Sequence, residues 1–260
     1  MPMKLSLHNI TASRMTLILV GVNLAVFLAV ALAGLFGANA AANMLALPSD
    51  PESLMLRPWT LLSYMFTQWN VIHLIVNMLW LWLWVRVIEM TPSASLTATS
   101  ARILGTYLAG GVAGAAVYLG ASLAGGDCGE CLTGSSASVV AVIAAGAVAA
   151  PRAEVNLVIF GRVRLLWAAA VSVGLCLLGD LGAHTGSALA HLGGVAAGAV
   201  CGLWYARSDA RPRRQLRGIG NSGDDRADLD AILAKVSRSG YGSLSSTERK
   251  RLFEISKRLS

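Results

Sequence analysis

The sequence predicts an all-α membrane protein: six transmembrane helices in one bundle, followed by a small helical C-terminal tail. Three observations predict it. Of the 260 residues, 55% are hydrophobic and only 13% charged, against roughly 25% charged in soluble domains. The charge deficit is concentrated in long uncharged stretches, and mean hydropathy is +0.60. The basic residues fall in alternate connections, as they do when every second loop faces the cytoplasm.

Residues 1–14 form a short N-terminal arm. Residues 15–37 carry no charge and exceed the about 20 residues needed to cross a hydrocarbon core. Ala38-Asn39-Ala40 looks like a signal-peptidase site, but this stretch is longer than the roughly 7–15 residues of a signal h-region. It is therefore read as an uncleaved first helix. Residues 71–85 follow, carrying His73 and Asn77. Residues 103–126 and 132–150 are rich in Gly and Ala, 165–179 is short but extends both ways, and 187–206 closes the set.

The loops fix an orientation. Lys4 and Arg14 precede the first helix, and Arg86 and Arg102 bracket the second connection. Arg152, Arg162 and Arg164 lie in the fourth, and the basic tail follows the sixth helix. The intervening connections hold only Arg57 in the first, with no Lys or Arg near Asp127–Cys131 or in 180–186. Both termini are thus expected in the cytoplasm, with an even number of spans. Small residues four apart, Gly110 and Gly114, Gly194 and Gly198, Ala141 and Ala145, mark faces where helices pack closely.

The net charge of +7 is uneven: thirteen of the 21 Lys and Arg residues lie beyond residue 206. No nucleic-acid-binding pattern accompanies them, so nucleic acid is excluded as a partner and an anionic membrane leaflet is the expected neighbour. Residues 207–225 read as a basic linker and 226–260 as a cytoplasmic helical module. Leu229, Ile232, Leu233 and Val236 share one face there, and Leu252, Ile255 and Leu259 another. Ser245 and Glu248 form a capping box, and residues 239–243 (Ser-Gly-Tyr-Gly-Ser) read as a turn.

Polar groups inside spans are expensive and mark function by default. The candidates are His73, Asn77, Ser135, Ser136, Ser138 and His191, with Arg86, Glu89, Asp180 and His184 at span ends or in loops. In the expected topology the second, fourth and sixth helices all start at the outer face. His73 with Asn77, Gly134-Ser135-Ser136 and His191 then reach one shallow depth. Each alone has an ordinary structural reading; together at matched depth they point to a site.

At these residues the chain resembles the rhomboid family, across most of residues 15–206. Arg57-Pro58-Trp59-Thr60-Leu61-Leu62-Ser63-Tyr64-Met65-Phe66 is similar to the family's first external loop, His73-x-x-x-Asn77 to its HxxxN motif, and Glu89 to its glutamate at the end of that helix. Gly134-Ser135-Ser136 resembles the GxSG motif and Ala190-His191-Leu192-Gly193-Gly194 the AHxxG motif. The resemblance implies a serine intramembrane protease with a Ser136–His191 catalytic dyad. His73, Asn77 and the Ser136 N–H would stabilise the oxyanion, and transmembrane proteins would be the substrates. It also implies a bacterial inner membrane location. The chain departs from the family pattern at Ala137 for Gly, Thr60 for Arg, Gln68 for His, Val85 and Arg86 for Gly, and Val140 for an aromatic residue.

Cys128-Gly129-Glu130-Cys131 precedes the Ser136 motif on the outer side, where a local disulfide fits an oxidising compartment. Cys176 and Cys201 read as packing residues. No metal or organic cofactor is indicated, and the oligomeric state is left open. Two rival functions remain: a rhomboid-like protein that binds transmembrane segments without cutting them, and a transporter or channel. The first would lack the Ser or the His, and the second would place its polar groups near the midplane.

Overall fold

The computed structural model describes residues 14–37, 40–89, 96–157, 161–179, 185–219 and 223–259; Asp180 and His184 lie outside them. The chain divides into two compact units, residues 1–207 and 208–260.

The membrane unit opens with α1 (Arg14–Leu35). Its outward side chains, Leu17, Ile18, Leu24, Leu28 and Leu32 among them, are exposed apolar groups, a surface stable only against lipid. The buried side includes Thr16, Leu19 and Asn23. A compact external segment follows: α2 (Ala41–Leu45), β1 (Leu47–Pro48), α3 (Pro51–Leu56), α4 (Thr60–Ser63) and a 3₁₀ turn at Tyr64–Phe66. Asp50 caps α3 by accepting from the Ser53 N–H at 2.7 Å.

Where the family pattern places an Arg after Trp59, Thr60 bonds the Arg57 carbonyl at 2.7 Å instead. Arg57 Nη1 and Trp59 Nε1 take over the anchoring, donating to the Asn43 and Met44 carbonyls at 2.8 Å each.

α5 (Val71–Glu89) and α6 (Leu96–Leu123) come next, then β2 (Cys131–Leu132) and α7 (Ser136–Ala149). β1 and β2 pair antiparallel, Leu47 opposite Leu132 and Pro48 opposite Cys131, which ties the α1–α5 and α6–α7 connections together. β3 (Glu154–Leu157) and β4 (Gly161–Arg164) form an antiparallel hairpin in the fourth connection, which sequence reading treated only as a basic loop. The signal was an alternation of apolar and polar residues around Val155, Leu157 and Val163. α8 (Leu165–Gly179) and α9 (Thr185–Ile219) complete the unit's helices.

Among the described residues, three helices are long and apolar enough to cross a membrane: Arg14–Leu35, Ser100–Leu123 and Thr185–Ser208. Val71–Arg86, Ser136–Ala149 and Leu165–Leu178 are shorter and apolar. α7 is the central element, with every side chain from Ser136 to Ala147 buried. It begins at Ser136, four residues after the expected start, because Gly134 turns the chain at φ +114°, a region open to glycine. At 1.5 Å per residue its 14 residues cover about 21 Å of an about 30 Å hydrocarbon core.

Packing of α9 on α7 is set by glycines. A Cβ at Gly194 would run into the Ala137 carbonyl, one at Gly198 into Ala141, and one at Gly202 into Ala145. These three contacts, four residues apart on each helix, are possible only because the backbones touch. α6 packs on α7 in the same way, with Gly110 and Gly114 facing Ala141 and Ala137.

In the second unit, α10 (Gly223–Ser239) and α11 (Ser246–Leu259) flank a 3₁₀ turn at Tyr241–Ser243, entered through Gly240 at φ +74°. The expected capping box forms: the Ser245 N–H donates to Glu248 Oε2 at 2.7 Å and the Glu248 N–H to Ser245 Oγ at 3.2 Å. Lys235 Nζ reaches both Glu248 oxygens, at 2.8 and 2.9 Å. Helix α9 continues to Ile219 through the segment read as a linker, where Arg213, Arg214, Gln215, Leu216 and Arg217 are all good helix formers.

Candidate active site

Ser136 is the first residue of α7 and 8% exposed. The turn before it is pinned, since the Gly134 N–H donates to the Tyr64 carbonyl at 3.0 Å. Ser135 stands at the helix N-cap but makes no capping bond. Ahead of this turn, β2 and Glu130 are held by β1 and Ser49, whose hydroxyl and N–H both donate to the Glu130 carbonyl.

His73 lies in the first turn of α5, where the Asn70 side chain accepts from the Ile72 N–H at 2.8 Å. Asn77 lies one turn further on, 3% exposed. A methyl placed on Gly134 would sit 3.4 Å from His73 Cε1, 3.7 Å from Gln68 Oε1 and 3.8 Å from Ser136 Oγ. Three polar side chains from α5, the external segment and α7 therefore surround one point.

His191 is on α9, 3% exposed. The register of α9 on α7 pairs Gly194 with Ala137, the second residue of α7, and His191 lies one helical turn before Gly194. The Ala190 carbonyl and the Ala137 Cβ both lie against Gly114 of α6, at 3.0 and 2.7 Å from a methyl placed there. Ser136 and His191 are the immediate neighbours of these two residues. The start of α9 is tied to the α6–α7 connection as well, with Thr185 Oγ1 donating to the Asp127 carbonyl at 2.7 Å.

Ala137, which stands where the family pattern has a second glycine, directs its methyl onto Gly114 rather than toward the Ser136 hydroxyl. Val140 packs against Gly194. Cys128 and Cys131, for which the sequence allows a local disulfide, are free thiols. The Cys128 Sγ is directed to the Tyr118 carbonyl at 3.8 Å. Burial, with the neighbouring Glu130 charge adding to it, pushes the Cys131 thiol above its ordinary range.

A model of the Rhomboid domain matches residues 56–208. The chain belongs to the rhomboid family. The match begins in the external segment and ends at the close of the membrane unit, so it contains every candidate site residue of this rhomboid protein. A second model, a family of unknown function (DUF6576), matches residues 223–258, the span of α10 and α11. No curated protein matches the chain. Among the described residues, no group of three or more His, Cys, Asp or Glu side chains is arranged to hold a metal ion.

Sequence reading missed one member of the constellation. Gln68 was noted only as a departure from the family's His, yet it is 1% exposed and bonded to Ser135. It lies in a connection rather than a span, where a polar residue raises no question. Asn23, an amide in an otherwise apolar span, was the available signal for the polar layer behind it.

Proposed function

We propose that this rhomboid is a serine-type intramembrane endopeptidase that hydrolyses peptide bonds in or near transmembrane segments of other proteins. Ser136 Oγ attacks the scissile carbonyl, and His191 takes its proton and returns it to the leaving amine. The Ser136 N–H, at the positive end of α7, and the His73 and Asn77 side chains stabilise the oxyanion. No acidic third member is required. The orientation that goes with this reading places both termini in the cytoplasm of a bacterial cell, with the site opening toward the outer face of the inner membrane.

One observation carries the proposal: His73 and Ser136 meet at Gly134, and the contact of Gly194 with Ala137, one helical turn from His191, supports His191 as the partner of Ser136. The family assignment supports the reaction class. The non-cutting alternative is disfavoured because both dyad residues are present and buried.

Cleavage of a tagged model transmembrane substrate in liposomes tests the proposal, with wild type compared against Ser136→Ala and His191→Ala. Cutting by wild type that both variants lose while still folded is expected. Equal cutting by either variant would remove that residue from the dyad.

A further inference from the structure

Behind the proposed oxyanion site, buried polar side chains from separate segments form two hydrogen-bonded groups. Asn77 Nδ2 donates to Gln68 Oε1 at 3.5 Å, and Gln68 Nε2 donates to Ser135 Oγ at 2.8 Å. The Tyr107 hydroxyl donates to the Met65 carbonyl at 2.9 Å and accepts from Asn23 Nδ2 at 3.1 Å. All five side chains are buried. In apolar surroundings an unpaired carboxamide is costly, so the bonds that Gln68 makes hold it and its partners in place.

We propose that Gln68 is a positioning residue that holds the Asn77 carboxamide by one end and the turn ahead of Ser136 by the other. The inference rests on the serine-protease reading above and names how its oxyanion site is kept in shape. A carboxamide has two N–H donors. With one Asn77 N–H directed at Gln68, the other is left to face a developing oxyanion. At 3.5 Å that bond is long, as catalytic contacts often are before substrate binds.

The other end of Gln68 explains an anomaly in α7. A serine at a helix N-cap ordinarily accepts from a first-turn N–H, and Ser135 does not. Its oxygen accepts from Gln68 instead, so the segment leading to the Ser136 N–H is tied to the residue that also touches Asn77. Two of the proposed oxyanion donors are thus set by one side chain.

The chemistry also accounts for glutamine at this position. The two functions require an acceptor and a donor at opposite edges of one side chain. A carboxamide offers both, and a neutral imidazole does the same through its two nitrogens. Methionine has a similar length and offers neither function at useful strength.

The test uses full-length protein in liposomes with a tagged transmembrane substrate, measuring kcat, KM and thermal midpoint for Gln68→Met, Gln68→His, Ser135→Ala and Asn77→Ala. Gln68→Met is expected to lower kcat about 10–100-fold with KM within about twofold, the size of a misplaced oxyanion donor. Gln68→His should recover most of that loss. In an Asn77→Ala background, Gln68→Met should cost much less, because the group it positions is gone.

An unchanged kcat in Gln68→Met, or an equal loss with and without Asn77, would overturn the assignment. If Gln68→Met does not fold, Ser135→Ala, which removes a single hydroxyl, decides: lowered kcat at constant KM supports the assignment, and wild-type kcat overturns it. Wild-type protein that neither cuts nor reacts with a serine-directed probe would overturn the protease reading, and the role of Gln68 with it. Ser136-dependent cutting that is indifferent to Gln68 would overturn the Gln68 role alone.

Discussion

Gly198→Ala tests whether backbone contact between α7 and α9 sets the position of His191. A methyl added at Gly198 meets the carbonyl oxygen, carbonyl carbon and Cα of Ala141, all backbone atoms that cannot rotate away. Relief therefore requires one helix to move. Overpacking of this kind costs about 1–3 kcal/mol, and an alanine's better helix propensity returns only about 0.5–1 kcal/mol. The net destabilisation expected is about 1–2 kcal/mol.

The internal control is Gly174→Ala in α8, where an added methyl meets no atom within 4 Å. There only the propensity gain operates, so stability should be unchanged or slightly raised. SDS-induced unfolding of the detergent-solubilised protein, followed by circular dichroism, separates the two. His191 lies two helical turns from Gly198, so a displaced α9 should also slow cleavage by about tenfold or more, given that a 1 Å misplacement can cost about 10²-fold. A Gly198→Ala protein as stable and active as Gly174→Ala would refute the reasoning, because it would mean that α9 does not rest on the α7 backbone.

Three further outcomes are expected. Asn77→Ala should lower kcat by about 10²–10³ with little change in KM, the usual loss for one oxyanion donor, and steady-state kinetics on a model substrate would show it. Ala137→Gly restores the family's residue but removes a buried methyl packed on Gly114. Thermal unfolding should show a loss of about 1–2 kcal/mol, while the folded fraction keeps wild-type activity within a few fold. In the second unit, the bonds from Lys235 and from the Ser245 N–H hold the Glu248 carboxyl down at about 2. A depressed carboxylate contributes stability that is present above its unfolded value, 4.5, and is lost as pH falls through the folded value. The start of α11 should therefore loosen between about pH 4.5 and 2. NMR titration of Glu248 should give a midpoint that rises in Lys235→Ala.

The site was legible in the sequence because lipid makes polar side chains conspicuous. His73, Asn77, Ser136 and His191 interrupt apolar runs, and the alternation of basic loops gave the expectation that their helices start at one face. Gln68 was not legible as a partner of Ser135, since the pairing joins residues 67 positions apart and one of them lies in a connection. The β1–β2 pairing was hidden for the same reason: two residues against two, separated by more than 80 positions, leave no periodicity. The late start of α7 turned on the conformation of Gly134, which composition does not report. Helix–helix contact was anticipated from Gly194 and Gly198, but its partner, the carbonyl row Ala137, Ala141 and Ala145, came only from the fold.

The central claim is that Ser136 is a nucleophile activated by His191. Its most direct test is reaction of the folded wild-type protein with a fluorophosphonate probe, with the adduct located by mass spectrometry. The account predicts a single stoichiometric adduct on Ser136, absent in Ser136→Ala and strongly slowed in His191→Ala. An adduct on Ser135 or Ser138, or equal labelling with and without His191, would contradict it.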